Sequence, residues 1–273
     1  MNYVDQVNYR DTDDKLIEAY LTVIDDLDSM NRYTENPISQ QVDFDTKLYR
    51  PDEDLKKCVI EYTNWVREVQ NPTIDKKRNK ELKLVGGQLM EKIAYLSFRC
   101  LVGKGAIKSY QSSSGPQHDL VITGSSPHWK LLIALLRLKM DKVVLEAKNT
   151  DGVVTDAQFS RLCFIVENKF QNQCQLGIFF TRQGATGFPK TNDKRQRILK
   201  DAKATQIIFH AKTGKYIIVF DHEDIVKLIL PGALPSLIRS KINDVEDVSG
   251  LSLKYDEDLN EMDDLPPHLA IYT

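Results

Sequence analysis

The chain has 273 residues, 41% hydrophobic and 28% charged, with a formal net charge of -2. That composition places it with soluble globular proteins rather than disordered or membrane ones, and the length allows one large domain or one domain with additions. The near-neutral charge leaves any nucleic-acid surface to a local patch, and the longest apolar run, Leu131 to Leu136, falls far short of the roughly 20 residues a membrane span needs.

In chain order, Met1-Asn2-Tyr3-Val4-Asp5 carries neither a basic nor an apolar region, so no secretory signal is read and a cytoplasmic protein with no membrane partner is expected. Leu16, Ile17, Tyr20, Leu21, Ile24 and Leu27 recur at helical spacing and predict a helix over 12–30, started by Thr12. A second helix is predicted over 52–69 and closed by Asn71-Pro72. Together these make an N-terminal helical addition spanning 1–75. Leu82, Val85, Leu89, Ile93, Leu96 and Leu101 then predict a helix over 80–101, buried on one face, in which Gly86-Gly87 signals close packing.

Strands are predicted over 106–111 and 118–123, separated by the turn Ser112-Ser113-Ser114-Gly115-Pro116. A helix over 129–140, begun by His128 and Trp129, separates these from a β-branched strand over 142–147. A helix over 155–170 and an apolar strand over 176–181 follow. A basic helix is read over 190–203, then strands over 206–209 and 216–220 about the turn Lys212-Thr213-Gly214-Lys215. Helices over 224–230 and 235–242 close a main domain spanning 76–243, and 244–273 is read as an acidic C-terminal tail. Strands alternating with helices predict an α/β fold, a central mixed sheet flanked by helices. The four cysteines, Cys58, Cys100, Cys163 and Cys174, lack C-x-x-C spacing and are expected as buried reduced thiols.

The chemistry concentrates at the strand ends. Asp119 begins one strand, while Glu146 and Lys148 close another, one residue apart, so both leave the same strand face. If the strands are neighbours, two carboxylates and an ammonium converge. Phosphodiester hydrolysis needs that set: oxygen ligands for Mg²⁺, a cation near the attacking water, and relief of charge in the transition state.

Gly115-Pro116-Gln117-His118-Asp119-Leu120-Val121-Ile122, followed by Val143-Val144-Leu145-Glu146-Ala147-Lys148-Asn149, resembles the PD-(D/E)xK superfamily of restriction-type nucleases. The likeness extends to Gly87-Gln88-Leu89-Met90-Glu91, which looks like the acidic residue of the family's first core helix. It extends also to Gln158, which resembles the glutamine of resolvase-like and Mrr-like members. It covers about 80–187, with His118 in place of the name-giving proline and the 129–140 helix inserted between the two motif strands.

The resemblance implies a restriction-endonuclease-like core and a Mg²⁺- or Mn²⁺-dependent nuclease acting on DNA. Asp119, Glu146 and the main-chain carbonyl of Ala147 would hold the metal. Lys148 would orient or deprotonate the attacking water or stabilise charge. Glu91 would assist through a water ligand or a second ion, and Gln158 would position the substrate backbone or the nucleophile. Family habit implies restriction or anti-phage defence, as a homodimer or under a helicase or ATPase subunit. Two rivals keep the fold: an inactive nucleic-acid-binding or assembly protein, and an RNA-directed nuclease, since the metal chemistry is indifferent to the 2′-hydroxyl.

Two basic segments, Lys76, Lys77, Arg78, Lys80 and Lys83, and Lys190, Lys194, Arg195, Arg197, Lys200 and Lys203, read either as phosphate contacts or as solvated helix faces. Lys194, Arg195 and Arg197 are the nucleic-acid-binding candidates, with Arg182 beyond the 176–181 strand. Gly103-Lys104-Gly105 lacks the rest of a phosphate-binding loop and is read as a turn.

Overall fold

A computed structural model describes residues 44–70, 76–102, 107–109, 119–148, 152–188 and 201–249. The helix expected over 12–30, most of the basic segment 190–203 and the acidic stretch beyond 249 lie outside the described residues. In chain order the elements are α1 (Glu53–Val69), α2 (Lys76–Arg99), β1 (Ile107–Ser109), β2 (Leu120–Ile122), α3 (Pro127–Leu135), β3 (Lys142–Lys148), α4 (Asp156–Phe164), β4 (Cys174–Thr181), α5 (Ala202–Thr213), β5 (Tyr216–Phe220), α6 (His222–Lys227) and α7 (Ala233–Ser249).

Local chemistry sets several boundaries. The Asp52 carboxylate accepts from Leu55 N at 2.9 Å and starts α1, with Glu53 and Asp54 at the positive end of its dipole. Ser126 caps α3, accepting from Trp129 N at 3.1 Å, and Pro127 takes the first turn, where its missing N–H costs nothing. The helix ends at Leu135 rather than near 140. Arg137 turns the chain at φ 55°, and the Trp129 indole donates to Asp141 O at 2.9 Å, tying the exit loop back to the helix. The apolar spacing that suggested a longer helix is met by Leu136 and Leu138, buried within that turn.

The five strands form one mixed sheet in the order β1-β2-β3-β4-β5. β1, β2 and β3 pair antiparallel, and β4 and β5 continue parallel to β3. The inserted α3 therefore does not separate the motif strands, which remain neighbours. Every residue of β4 and β5 is buried, as expected of parallel strands covered on both faces.

Alternate side chains feed two apolar layers. Leu120, Leu145, Ile178 and Phe180 meet α1, α2, α3 and α7 on one face, and Val121, Val144, Phe179 and Val219 meet α4 and α5 on the other. At Gly177 a Cβ would lie 2.7 Å from Ile217 Cδ1 and 3.1 Å from Val166 Cγ2, so the glycine permits close approach on the α4 side.

Three expectations are corrected. Residues 206–209 are not a strand but the middle of α5. Asp201 caps its start by accepting from Ala204 N at 2.8 Å, and Gly214, at φ 66°, ends it in the left-handed conformation only glycine adopts freely. The run Gln206-Ile207-Ile208-Phe209 looks β-branched and apolar, yet Ala202, Gln206 and His210 are the buried positions, at four-residue spacing. The supposed hairpin turn is therefore a helix cap leading into a parallel strand.

The acidic tail also begins later than 244. α7 runs to Ser249, and the buried Glu246 accepts a 2.5 Å hydrogen bond from Tyr216 OH. The helix over 53–69, read as part of an addition, shares the same continuous apolar layer as α2. The Trp65 indole donates to Leu82 O at 2.7 Å.

All four cysteines are free and buried. Burial pushes the Cys58 thiol up to about 11 and those of Cys163 and Cys174 to about 12. At pH 8, Cys58, Cys163 and Cys174 should react with iodoacetamide at least about 100-fold more slowly in the folded protein than in denaturant, because the thiolate is the nucleophile. Mass spectrometry of a labelling time course measures this, and a cysteine labelled equally fast in both states would contradict the burial. No helix among the described residues is long and apolar enough to cross a membrane.

Candidate active site

β2 pairs with β3 so that Leu120 lies opposite Leu145, and Asp119, just before β2, is near enough for its charge to act on Glu146. The chain bends there but is held twice. Asp119 N donates to Leu145 O at 3.2 Å, and Ala147 N donates to Asp119 Oδ2 at 2.5 Å. Both bonds require Leu145 and Ala147 to turn their main-chain groups toward β2, so the Ala147 carbonyl points to the side on which Asp119 stands. Strand alternation places Glu146 and Lys148 with Val144 on the face covered by α4.

Glu146 is 1% exposed. Its Oε1 receives Lys148 Nζ at 2.6 Å and an Arg161 guanidinium nitrogen at 2.7 Å, while Oε2 is buried with no hydrogen-bond partner. Leaving a buried carboxylate oxygen unmatched costs about 1–3 kcal/mol, which an incoming ligand could recover. Burial pushes the Glu146 carboxyl above the ordinary glutamate range, with Lys148 pulling it down and Asp119 pushing it up.

Glu91, on the exposed side of α2, is coupled to the same group. Desolvation and then the Asp119 carboxylate raise its carboxyl, and Lys148 opposes them. The Asp119 carboxylate thus raises both Glu91 and Glu146, and Lys148 opposes it at both.

Gln158 lies on α4, one turn before Arg161, and closes that helix's start. Its Oε1 accepts from Thr155 N at 3.0 Å, and Thr155 Oγ1 accepts from Gln158 N at 3.4 Å. The carbonyl end of the side chain is thereby committed to the helix, and the amide nitrogen takes no part in that box. Arg161 was not among the sequence candidates. Its signal was its place three residues after Gln158, which puts both on neighbouring positions of one helix face.

Arg182 does not join this group. It follows Thr181, which pairs with Lys148, so it stands at the same end of the sheet. Strand alternation sends it to the other face, where its guanidinium lies over the Trp65 ring, 5.6 Å from the centroid. Lys194, Arg195 and Arg197 lie outside the described residues. Lys203, the last cation of their segment, donates to Gln206 Oε1 at 2.9 Å and covers the Phe188 ring at 4.9 Å. In the other basic segment Arg78 pairs with Glu68 at 2.8 Å and Glu81 at 3.4 Å.

Among the described residues no three His, Cys, Asp or Glu side chains are grouped to hold a metal ion. The set implied by the resemblance is smaller, two carboxylates and a main-chain carbonyl. That set fits Mg²⁺, which keeps several waters and binds one or two carboxylates plus substrate phosphate oxygens. The unmatched Glu146 Oε2 is a hard oxygen donor of the required kind.

The chain matches no protein-family model, no curated protein and no solved structure.

Proposed function

We propose that the protein is a divalent-metal-dependent nuclease that hydrolyses phosphodiester bonds in DNA, on a restriction-endonuclease-like core. The observation that carries this reading is the buried Glu146, tied through Oε1 to Lys148, unmatched at Oε2 and near Asp119 at the end of a mixed sheet. The antiparallel pairing of β2 with β3 supports it by making the two motif strands neighbours.

In this reading Asp119, Glu146 and the Ala147 carbonyl hold Mg²⁺ or Mn²⁺, which when bound supplies Lewis-acid polarisation of the phosphate and a more acidic water. Lys148, only 24% exposed, keeps its ammonium at the buried carboxylate, where it can orient the nucleophile and stabilise the added negative charge. Glu91, whose carboxyl feels the Asp119 charge, would assist through a water ligand or a second ion, and Gln158 would position the substrate backbone or the nucleophile. The setting proposed with it is restriction or anti-phage defence, as a homodimer or as an effector controlled by a helicase or ATPase subunit.

The test is a cleavage assay of the full-length protein on duplex DNA, single-stranded DNA and RNA, with Mg²⁺, Mn²⁺ or EDTA. DNA is expected to be cut with either ion and left intact in EDTA. Cleavage that survives EDTA would remove the assignment. Cutting of RNA alone would convert it to an RNA-directed nuclease, and DNA binding without cutting would favour the inactive reading.

A further inference from the structure

Glu146 is held by two cations from different elements. Lys148 is two residues along the same strand, and its position follows from β3 itself. Arg161 comes from α4, whose start is fixed by the Thr155–Gln158 capping box, and it reaches the same oxygen, Oε1, at 2.7 Å. Neither cation is within hydrogen-bond reach of Oε2, which stays buried and unmatched. A carboxylate with two donors on one oxygen has its plane fixed and its second oxygen held ready.

Resting on the nuclease reading of this site, we propose that Arg161, through its own positive charge beside Glu146, limits how tightly the divalent cation is held. The guanidinium is 47% exposed, so its repulsion of a nearby divalent ion is reduced by solvent rather than abolished. Lys148 alone can keep Oε1 paired when Arg161 is neutralised. A site that binds its ion loosely also exchanges it readily between substrates.

The test is a calorimetric titration of Mn²⁺ into the metal-free, full-length protein without nucleic acid, comparing wild type with Arg161→Gln, Arg161→Lys and Glu146→Gln. Circular dichroism checks that each variant is folded. Arg161→Gln is expected to bind Mn²⁺ about five- to tenfold more tightly, the size of one like charge removed from beside a divalent ion in a largely solvated setting. Arg161→Lys should stay within about twofold of wild type, and Glu146→Gln should weaken binding at least about tenfold.

Unchanged or weaker binding by Arg161→Gln, with Glu146→Gln still impaired, would overturn the role of Arg161 and leave the metal site standing. A wild type that binds no Mn²⁺, or a Glu146→Gln protein that binds it equally well, would overturn both the role and the site it rests on.

Discussion

Replacing Lys148 by alanine is expected to lower metal-dependent cleavage by about 10²- to 10³-fold, and Glu146→Gln by at least as much, with the fold retained in both. The Lys148 ammonium is held 2.6 Å from a carboxylate that is itself 1% exposed, so its charge acts where water screens it little. A cation fixed in place before reaction needs no reorganisation as negative charge builds on the phosphate, and the loss therefore falls on kcat more than on KM. Glu146→Gln keeps the shape of the side chain but removes the formal charge that attracts the ion. Steady-state rates on duplex DNA at several Mg²⁺ concentrations measure both effects. If excess Mg²⁺ restores Glu146→Gln to the wild-type rate, its carboxylate supplies affinity alone. If Lys148→Ala cleaves at the wild-type rate, the catalytic role of the lysine is lost.

The second large effect is on stability. A chain beginning at residue 76, which keeps every proposed catalytic residue, is expected not to fold cooperatively. Removing α1 takes away Leu55, Cys58, Val59, Tyr62, Trp65 and Val66, all buried against α2 and its neighbours. At about 1.5–3 kcal/mol for each large apolar side chain, that burial is comparable to the whole 5–15 kcal/mol by which a domain is stable. The same deletion removes Tyr49 OH, which donates to Leu228 O at 2.7 Å, and Asp45, which pairs with Arg239 through bonds of 2.6 and 3.1 Å. Thermal unfolding followed by circular dichroism, with dye binding to exposed apolar surface, reads the outcome. A sharp transition within a few degrees of the full-length protein would mean that α1 is dispensable after all.

Local signals in the sequence located most elements of the fold, and the reason is that they depend on local geometry. The two-residue period of a strand is built into the backbone, so Glu146 and Lys148 had to share a face whatever surrounded them. Asn71-Pro72 marked the end of α1, and the apolar run of 216–220 marked a strand. The same local logic failed at 206–209. Two isoleucines and a phenylalanine suit a strand, but the flanking Asp201 and Gly214 close a helix and its buried stripe fits one.

The sequence by itself determined which side chains could do chemistry together: Asp119, Glu146 and Lys148, at strand ends and in an order that resembles a nuclease. Only the tertiary structure decided that β2 lies beside β3 despite the inserted helix, that Arg161 reaches Glu146, that Arg182 turns instead to Trp65, and that α1 belongs to the core. These contacts join residues from 15 to more than 100 positions apart. Periodicity says which way a side chain faces within its own element. Which element it meets depends on how the apolar faces of all of them pack into common layers, and that is settled only when the whole chain has folded.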